Sequence, residues 1–230
     1  MALDATLNQF AEFVGSEVKR VENMIPTGGN TGGQFANSLI ITGKGRPDNS
    51  GTTEGKIRGN EPNGTIYVSI DGAGVGAYEW QKQNNKWQVT SADTGVRIIR
   101  NGAVNIKSGY ITLRRVNNTV ECAFTGGQWG AIYFYGSADP NFRRKSHPKR
   151  MDILGNNKIP FGFRATNSIM LPFYGDDGDH LGMVYVGGLS NYNYIELRFK
   201  DKPPTADMDI VRMPVISWIT DDPYPSTLPT

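Results

Sequence analysis

Leu3, Leu7, Phe10, Val14, Val21 and Met24 recur at alternating steps of about four and three residues, with Glu17 the only interruption, and the character of the chain then changes abruptly. Pro26, Gly28, Gly29, Gly32 and Gly33 stop any helix, and the chain beyond them reads as strand and turn. The spacing predicts a helix from about Leu3 to Ile25, with Asp4 near its positively polarised start and Lys19 and Arg20 nearer its end. A helix of roughly six turns is marginal alone in water, so its apolar stripe must be buried. Self-association through this seam is the simplest solution. Packing on the chain's own body is the alternative, because Val18 and Ile25 widen the stripe beyond a strict seam.

Among 230 residues, 28 are glycine, which suits many turns and short strands. The formal charge of +2 implies no global field for nucleic acid or an anionic membrane, so charge has to be read locally. Cys122 is the single cysteine, which excludes an intrachain disulfide and a cysteine metal cluster. Flanked by Val120, Ala123 and Phe124, it is expected as a small buried hydrophobe in a strand. Acids at Asp4, Glu12 and Glu17 exclude a secretory signal in the first segment, and no apolar run approaches the ~20 residues of a membrane span. A soluble chain made in a cytosol, without membrane insertion, is the expectation.

The chain divides into four parts. Residues 1–26 form the helix, and residues 27–63 read as a Gly-rich linker broken only by Leu39, Ile40 and Ile41. Residues 64–100 read as a small β meander: Thr65 to Asp71 alternates with Ile66, Val68 and Ile70 on one side, Tyr78 and Trp80 return in phase, and Asn84-Asn85 turns into Trp87 and Val89. Val96, Ile98 and Ile99 make its fourth strand. Residues 101–230 read as an antiparallel β sandwich, with strands at Tyr110–Val116, Thr119–Phe124, Trp129–Tyr135, Ser168–Phe173, Gly182–Val186, Tyr194–Phe199 and Val215–Ile219. The stretch from Gly136 to Ile159 reads as a long loop, of a length that tends to be functional or mobile.

Gly72-Ala73-Gly74-Val75-Gly76-Ala77 matches the dinucleotide fingerprint, but the aromatic and β-branched residues after it predict a strand where that fingerprint needs a helix. Asp176, Asp177 and Asp179 crowd one turn beside His180 and lack the downstream glutamate of the helical calcium loop; a solvated hairpin tip fits best, with calcium or polar-ligand contact as the alternatives. Arg143, Arg144, Lys145, Lys149 and Arg150 form a basic loop able to bind anionic groups. Trp129, Tyr133, Tyr135, Tyr185, Tyr192 and Tyr194 supply rings on which sugars can stack. The two histidines are far apart, no catalytic motif is present, and neither a metal nor a cofactor is expected. Arg143, Arg144, Lys145, Asp176, Asp177, Asp179 and Tyr192 are the candidate ligand contacts.

Gly64-Thr65-Ile66-Tyr67-Val68 with Tyr78-Glu79-Trp80, Trp87-Gln88-Val89 and Asp93-Thr94-Gly95 is similar to a small β module recurring in the receptor-binding and tail-fibre proteins of tailed bacteriophages. Ile159-Pro160-Phe161-Gly162-Phe163-Arg164 with Ile169-Met170-Leu171-Pro172 resembles a strand pair of their head domains, and Ile216-Ser217-Trp218-Ile219-Thr220-Asp221-Asp222-Pro223-Tyr224-Pro225 resembles their ending. The resemblance implies a homotrimer with bundled N-terminal helices (a trimeric coiled coil), a middle neck and a C-terminal head that recognises a host saccharide or wall polymer. It also implies a place in the virion, joined through the helix to other tail or baseplate proteins. A structural adaptor or capsid decoration protein is the alternative.

Overall fold

The computed structural model describes residues 39–48, 59–143, 146–188 and 192–229. The expected helix, with its seam Leu3, Leu7, Phe10, Val14, Val21 and Met24, lies outside these residues, as do Arg144 and Lys145. The described chain is mainly β, built from short strands in several antiparallel sheets.

A small sheet comes first. β1 (Ile40–Gly43), inside the stretch read as linker, runs parallel to β2 (Ile66–Ser69), which pairs antiparallel with β3 (Ala77–Gln83) and so leads to β4 (Lys86–Ala92). Asn84 and Asn85, at φ of +50° and +59°, close the β3–β4 hairpin, a conformation that asparagine tolerates better than most residues. The Gly72–Gly74 run is a single tight turn and starts no α-helix. Its Asp71 carboxylate accepts the N–H groups of Ala73 and Gly45 and the Ser69 hydroxyl. Gly76, at φ +78°, has to be glycine because a Cβ would collide with the Asp93 carbonyl. The buried side of β2 is Tyr67 and Ser69, so Ile66, Val68 and Ile70 face outward. Tyr67, Trp80, Val75, Ala77 and Ala92 make the core of this unit, completed by Tyr224 from the other end of the chain.

The larger core lies among three further sheets. β5 (Arg97–Ile99), expected as the fourth strand of the meander, pairs instead with β7 (Tyr110–Val116). β7 pairs with β8 (Thr119–Thr125), and β8 with β15 (Ile216–Ile219). The second sheet has the order β10 (Arg150–Leu154), β13 (Ile195–Phe199), β12 (His180–Val186), β11 (Ile169–Tyr174). The third joins β14 (Met208–Val211), β9 (Ile132–Phe134) and β6 (Ile106–Ser108). Period-two alternation explains the packing: Ile111 and Leu113, Val120, Cys122 and Phe124, and Ile195, Leu197 and Phe199 all enter one continuous apolar cluster. β10 falls within the stretch read as a long loop, and β9 is shorter than expected, which leaves Trp129 in a turn.

Arg115, on the inward side of β7, is almost fully buried and ties the two cores together. Its guanidinium donates to four carbonyl oxygens, those of Asn117, Gly162, Asp222 and Pro223, and lies 5.0 Å over the Tyr224 ring. Tyr224 in turn donates its hydroxyl to the Val75 carbonyl, and Leu228 packs on the same small core. The C-terminal strap from Asp221 onward is thus held by the large unit and closes the small one.

Candidate functional site

Trp129 is 74% exposed, at the centre of the turn Gln128–Gly130, with φ +59°. Left-handed backbone is unfavourable for a bulky side chain, and the turn imposes it through Gly127 N–H to the Ala131 carbonyl and Ala131 N–H to the Gln128 carbonyl. A large apolar ring held at the surface in a strained turn is presented rather than buried.

Arg212, just past the end of β14, fixes the turn. Its Nη1 donates to the Trp129 carbonyl at 2.9 Å, while Nε donates to Asp176 Oδ1 at 2.8 Å and Nη2 lies 2.7 Å from the same oxygen. The backbone of Arg212 exchanges both hydrogen bonds with Tyr174 at the end of β11, which sets it beside the β11–β12 turn. Two residues earlier Ile210 also has a left-handed φ, +51°, where the β14–β9 register slips. A β-branched residue in that region is a genuine outlier, and a slip of this kind re-aims the side chains beyond it. Both strained residues therefore flank Arg212, which bridges the two turns.

The rest of the tip is aromatic and acidic. The Tyr174 and His180 rings lie 5.6 Å apart at 53°, both exposed. Tyr133 donates to Gln128 Oε1 at 3.3 Å beside the tryptophan turn. Asp177 and Asp179 occupy the same exposed turn as Asp176, closed by Gly175 N–H to the Asp179 carbonyl. Among the described residues no three His, Cys, Asp or Glu side chains converge as a metal site. Arg212 thus joins the turn that carries the exposed indole to the turn that carries Asp176 and is flanked by Tyr174 and His180; such rings can stack on a sugar, and an Arg–Asp pair can hydrogen-bond its hydroxyl groups.

The other sequence candidates lie elsewhere. The Arg143 backbone is clasped by buried Asn105, which accepts its N–H and donates to its carbonyl, while the Arg143 side chain is exposed. Lys149 donates to the Lys200 carbonyl, and Arg150 begins β10 with its guanidinium 3.6 Å from the fully buried carboxylate of Glu196. Arg198 shares that carboxylate at 2.7 Å and stacks 3.7 Å over Tyr185. Tyr192 is exposed. No hydrogen bond or ion pair among the described residues joins Arg143 or Tyr192 to the acidic turn. Of the sequence candidates, the structure joins Asp176 to the Trp129 turn through Arg212, with Asp177 and Asp179 in the same turn as Asp176. Arg212 and its partner Tyr174 were missed, since nothing in spacing links positions that far apart along the chain.

Comparison with known proteins found no matching family model, no matching curated protein and no matching solved structure. Among the described residues no helix is long and apolar enough to cross a membrane.

Proposed function

We propose that this chain is a non-enzymatic attachment protein that binds a surface saccharide through the Trp129–Arg212–Asp176 tip. The observation that carries the reading is the rigid display of Trp129: an exposed indole held in a strained turn, with its carbonyl gripped by an arginine that also binds a carboxylate. Asp176, Asp177 and Asp179 outnumber Arg212 here, which favours an uncharged sugar over an anionic polymer at this tip.

The resemblance to tailed-phage receptor-binding proteins supplies the biological setting. The chain would be a virion component, a homotrimer assembled through Leu3, Leu7, Phe10, Val14, Val21 and Met24, with the β-sandwich unit as its head. Repetition of weak sites on one assembly would raise avidity without any new contact. A glycan array probed with the full chain and with Trp129→Ala tests the reading. Binding of neutral glycans that falls at least tenfold in the variant supports it. Binding indifferent to Trp129, or no glycan bound at all, overturns it and leaves the structural-component reading.

A further inference from the structure

The cations of the basic loop have no role at the Trp129 tip, yet the last of them enters a pair. Arg150 at the start of β10 and Arg198 on β13 are direct register partners, so two guanidinium groups stand opposite each other on the second sheet. Leu197 and Phe199 point into the core, which puts Arg198 and Glu196 on the outer face. Like charges directly opposed cost stability unless an acid lies between them. Glu196 is that acid. It is fully buried, and its Oε1 accepts Arg198 Nε at 2.7 Å while lying 3.6 Å from Arg150 Nη1.

The geometry leaves a fork without a partner. The Arg198 guanidinium is clamped at Nε by the buried carboxylate and lies 3.7 Å over the Tyr185 ring, which fixes its plane. Its Nη1 meets the Met170 sulfur at 3.8 Å, a weak acceptor. Among the described residues no oxygen accepts a hydrogen bond from Nη1 or Nη2 of Arg198, or from the Arg150 guanidinium. Both side chains stay open to solvent, Arg150 at 34% and Arg198 at 26%.

The surroundings are cationic as well. Residues 149–152 and 196–202 together carry five cations and three carboxylates, one of the three being the buried Glu196. Asn105 adds another cation: its Nδ2 donates to the carbonyls of both Asp152 and Arg143, so exposed Arg143 is held beside β10. The acidic turn is too distant to cancel this charge. Met183 is the β12 partner of Arg198, and Asp179 lies four residues from it, about 13 Å along the chain against a screening length of about 8 Å at physiological salt.

We propose that the Arg150–Arg198 pair binds a tetrahedral oxyanion, sulfate or phosphate, borne by a polysaccharide. Arg198 presents Nη1 and Nη2 as two parallel donors, and Arg150 supplies the second charge. An open sheet face with cations spread from Arg143 to Lys200 suits a charged polymer. Nucleic acid fits this face less well, because Tyr185, the ring at the pair, is already engaged by Arg198 and by Tyr194 at 5.5 Å and offers little to a base. The site stands apart from the tip and does not depend on Trp129.

Titration calorimetry of the full chain with dextran sulfate, dextran phosphate and neutral dextran, at about 0.15 M salt, tests the proposal. A charged dextran should bind where the neutral one does not, and the tighter of the two names the oxyanion. Arg150→Gln leaves the Arg198–Glu196 bond in place and should weaken binding about tenfold, the worth of one charged hydrogen bond. Arg198→Lys keeps a cation beside buried Glu196 but loses the fork, and should weaken binding to a similar degree. Lys86→Gln removes the same charge from the exposed start of β4 and should leave affinity unchanged. Failure of both charged dextrans to bind overturns the proposal, as does neutral dextran binding equally well. An equal loss in Lys86→Gln assigns binding to net charge alone, and a DNA duplex bound more tightly than either charged dextran assigns the face to nucleic acid; each result overturns it.

Discussion

Arg115 and Tyr224 meet as cation and ring face, 5.0 Å from guanidinium carbon to centroid, although more than a hundred residues separate them in the chain. The four oxygens that receive the Arg115 donors are all backbone carbonyls, and the nearby Asp222 carboxylate acts on the charge without bonding it. An arginine cannot shed its charge, so this buried cation depends on the strap staying in place. Arg115→Ala should cost about 3 kcal/mol in urea unfolding, because four carbonyls lose a charged donor at once. It should also expose the strap from Asp221 onward to limited digestion by a protease of broad specificity such as proteinase K.

Trp129 should behave in the opposite way. Trp129→Gly relieves a left-handed φ of +59° and removes little buried surface, so the protein should gain up to about 1 kcal/mol while glycan binding is lost. Paired measurement of urea midpoint and array signal checks both halves. A fall in stability would mean that the indole packs where the exposure says it does not.

Asp176→Asn should leave the fold intact but free Arg212 from its carboxylate, loosening its hold on the Trp129 carbonyl. Affinity should drop about tenfold, and intrinsic tryptophan fluorescence should become more readily quenched by acrylamide. The exposed Arg–Asp pair itself contributes little to stability, so the unfolding midpoint should move by less than about 0.5 kcal/mol.

Acid should destabilise the protein through its depressed carboxylates, Asp93 and Asp222 among them. The Arg114 hydrogen bond holds Asp93 below its ordinary value. Burial pushes Asp222 upward, but Arg164 and the N–H groups of Gly162 and Arg164 together outweigh it and leave this carboxyl low as well. A carboxylate depressed in the folded state binds its proton more readily when unfolded, so its stabilisation is complete above the unfolded value of about 3.9 and is lost as pH falls through the lower folded value. The urea midpoint should therefore hold from pH 7 to about 5 and decline below about 4, and Asp222→Asn should flatten that decline.

Much of the fold is legible in local pattern. Asn117-Asn118 between two alternating runs predicts the β7–β8 hairpin, and the structure pairs Val116 with Thr119 across it. Asn84-Asn85 does the same for β3–β4. Parts that depend on distant partners were hidden. β5 continues the rhythm of the meander, and only the partner strand β7 claims it for the other sheet. β10 begins with Arg150, so its charge masks the alternation of Met151 and Ile153. At the tip, Trp129 is visible as an aromatic and Asp176 as an acid, but Arg212 meets both from beyond an irregular β14, a juxtaposition that local spacing does not reveal. In the small sheet the apolar rhythm of Ile66, Val68 and Ile70 is clear, yet the bulkier ring of Tyr67 takes the interior.

The passage from β4 to β5 carries the chain from one core into the other with few unpaired residues between: Asp93 N–H bonds the Gly76 carbonyl, Thr94 N–H bonds the Arg115 carbonyl, and Arg97 is already in register with Leu113. A joint hydrogen-bonded on both sides does not swivel. Torque applied to the small unit would pass undiminished into the large one, and the direction in which Trp129 points would be dictated by whatever the first strand is anchored to.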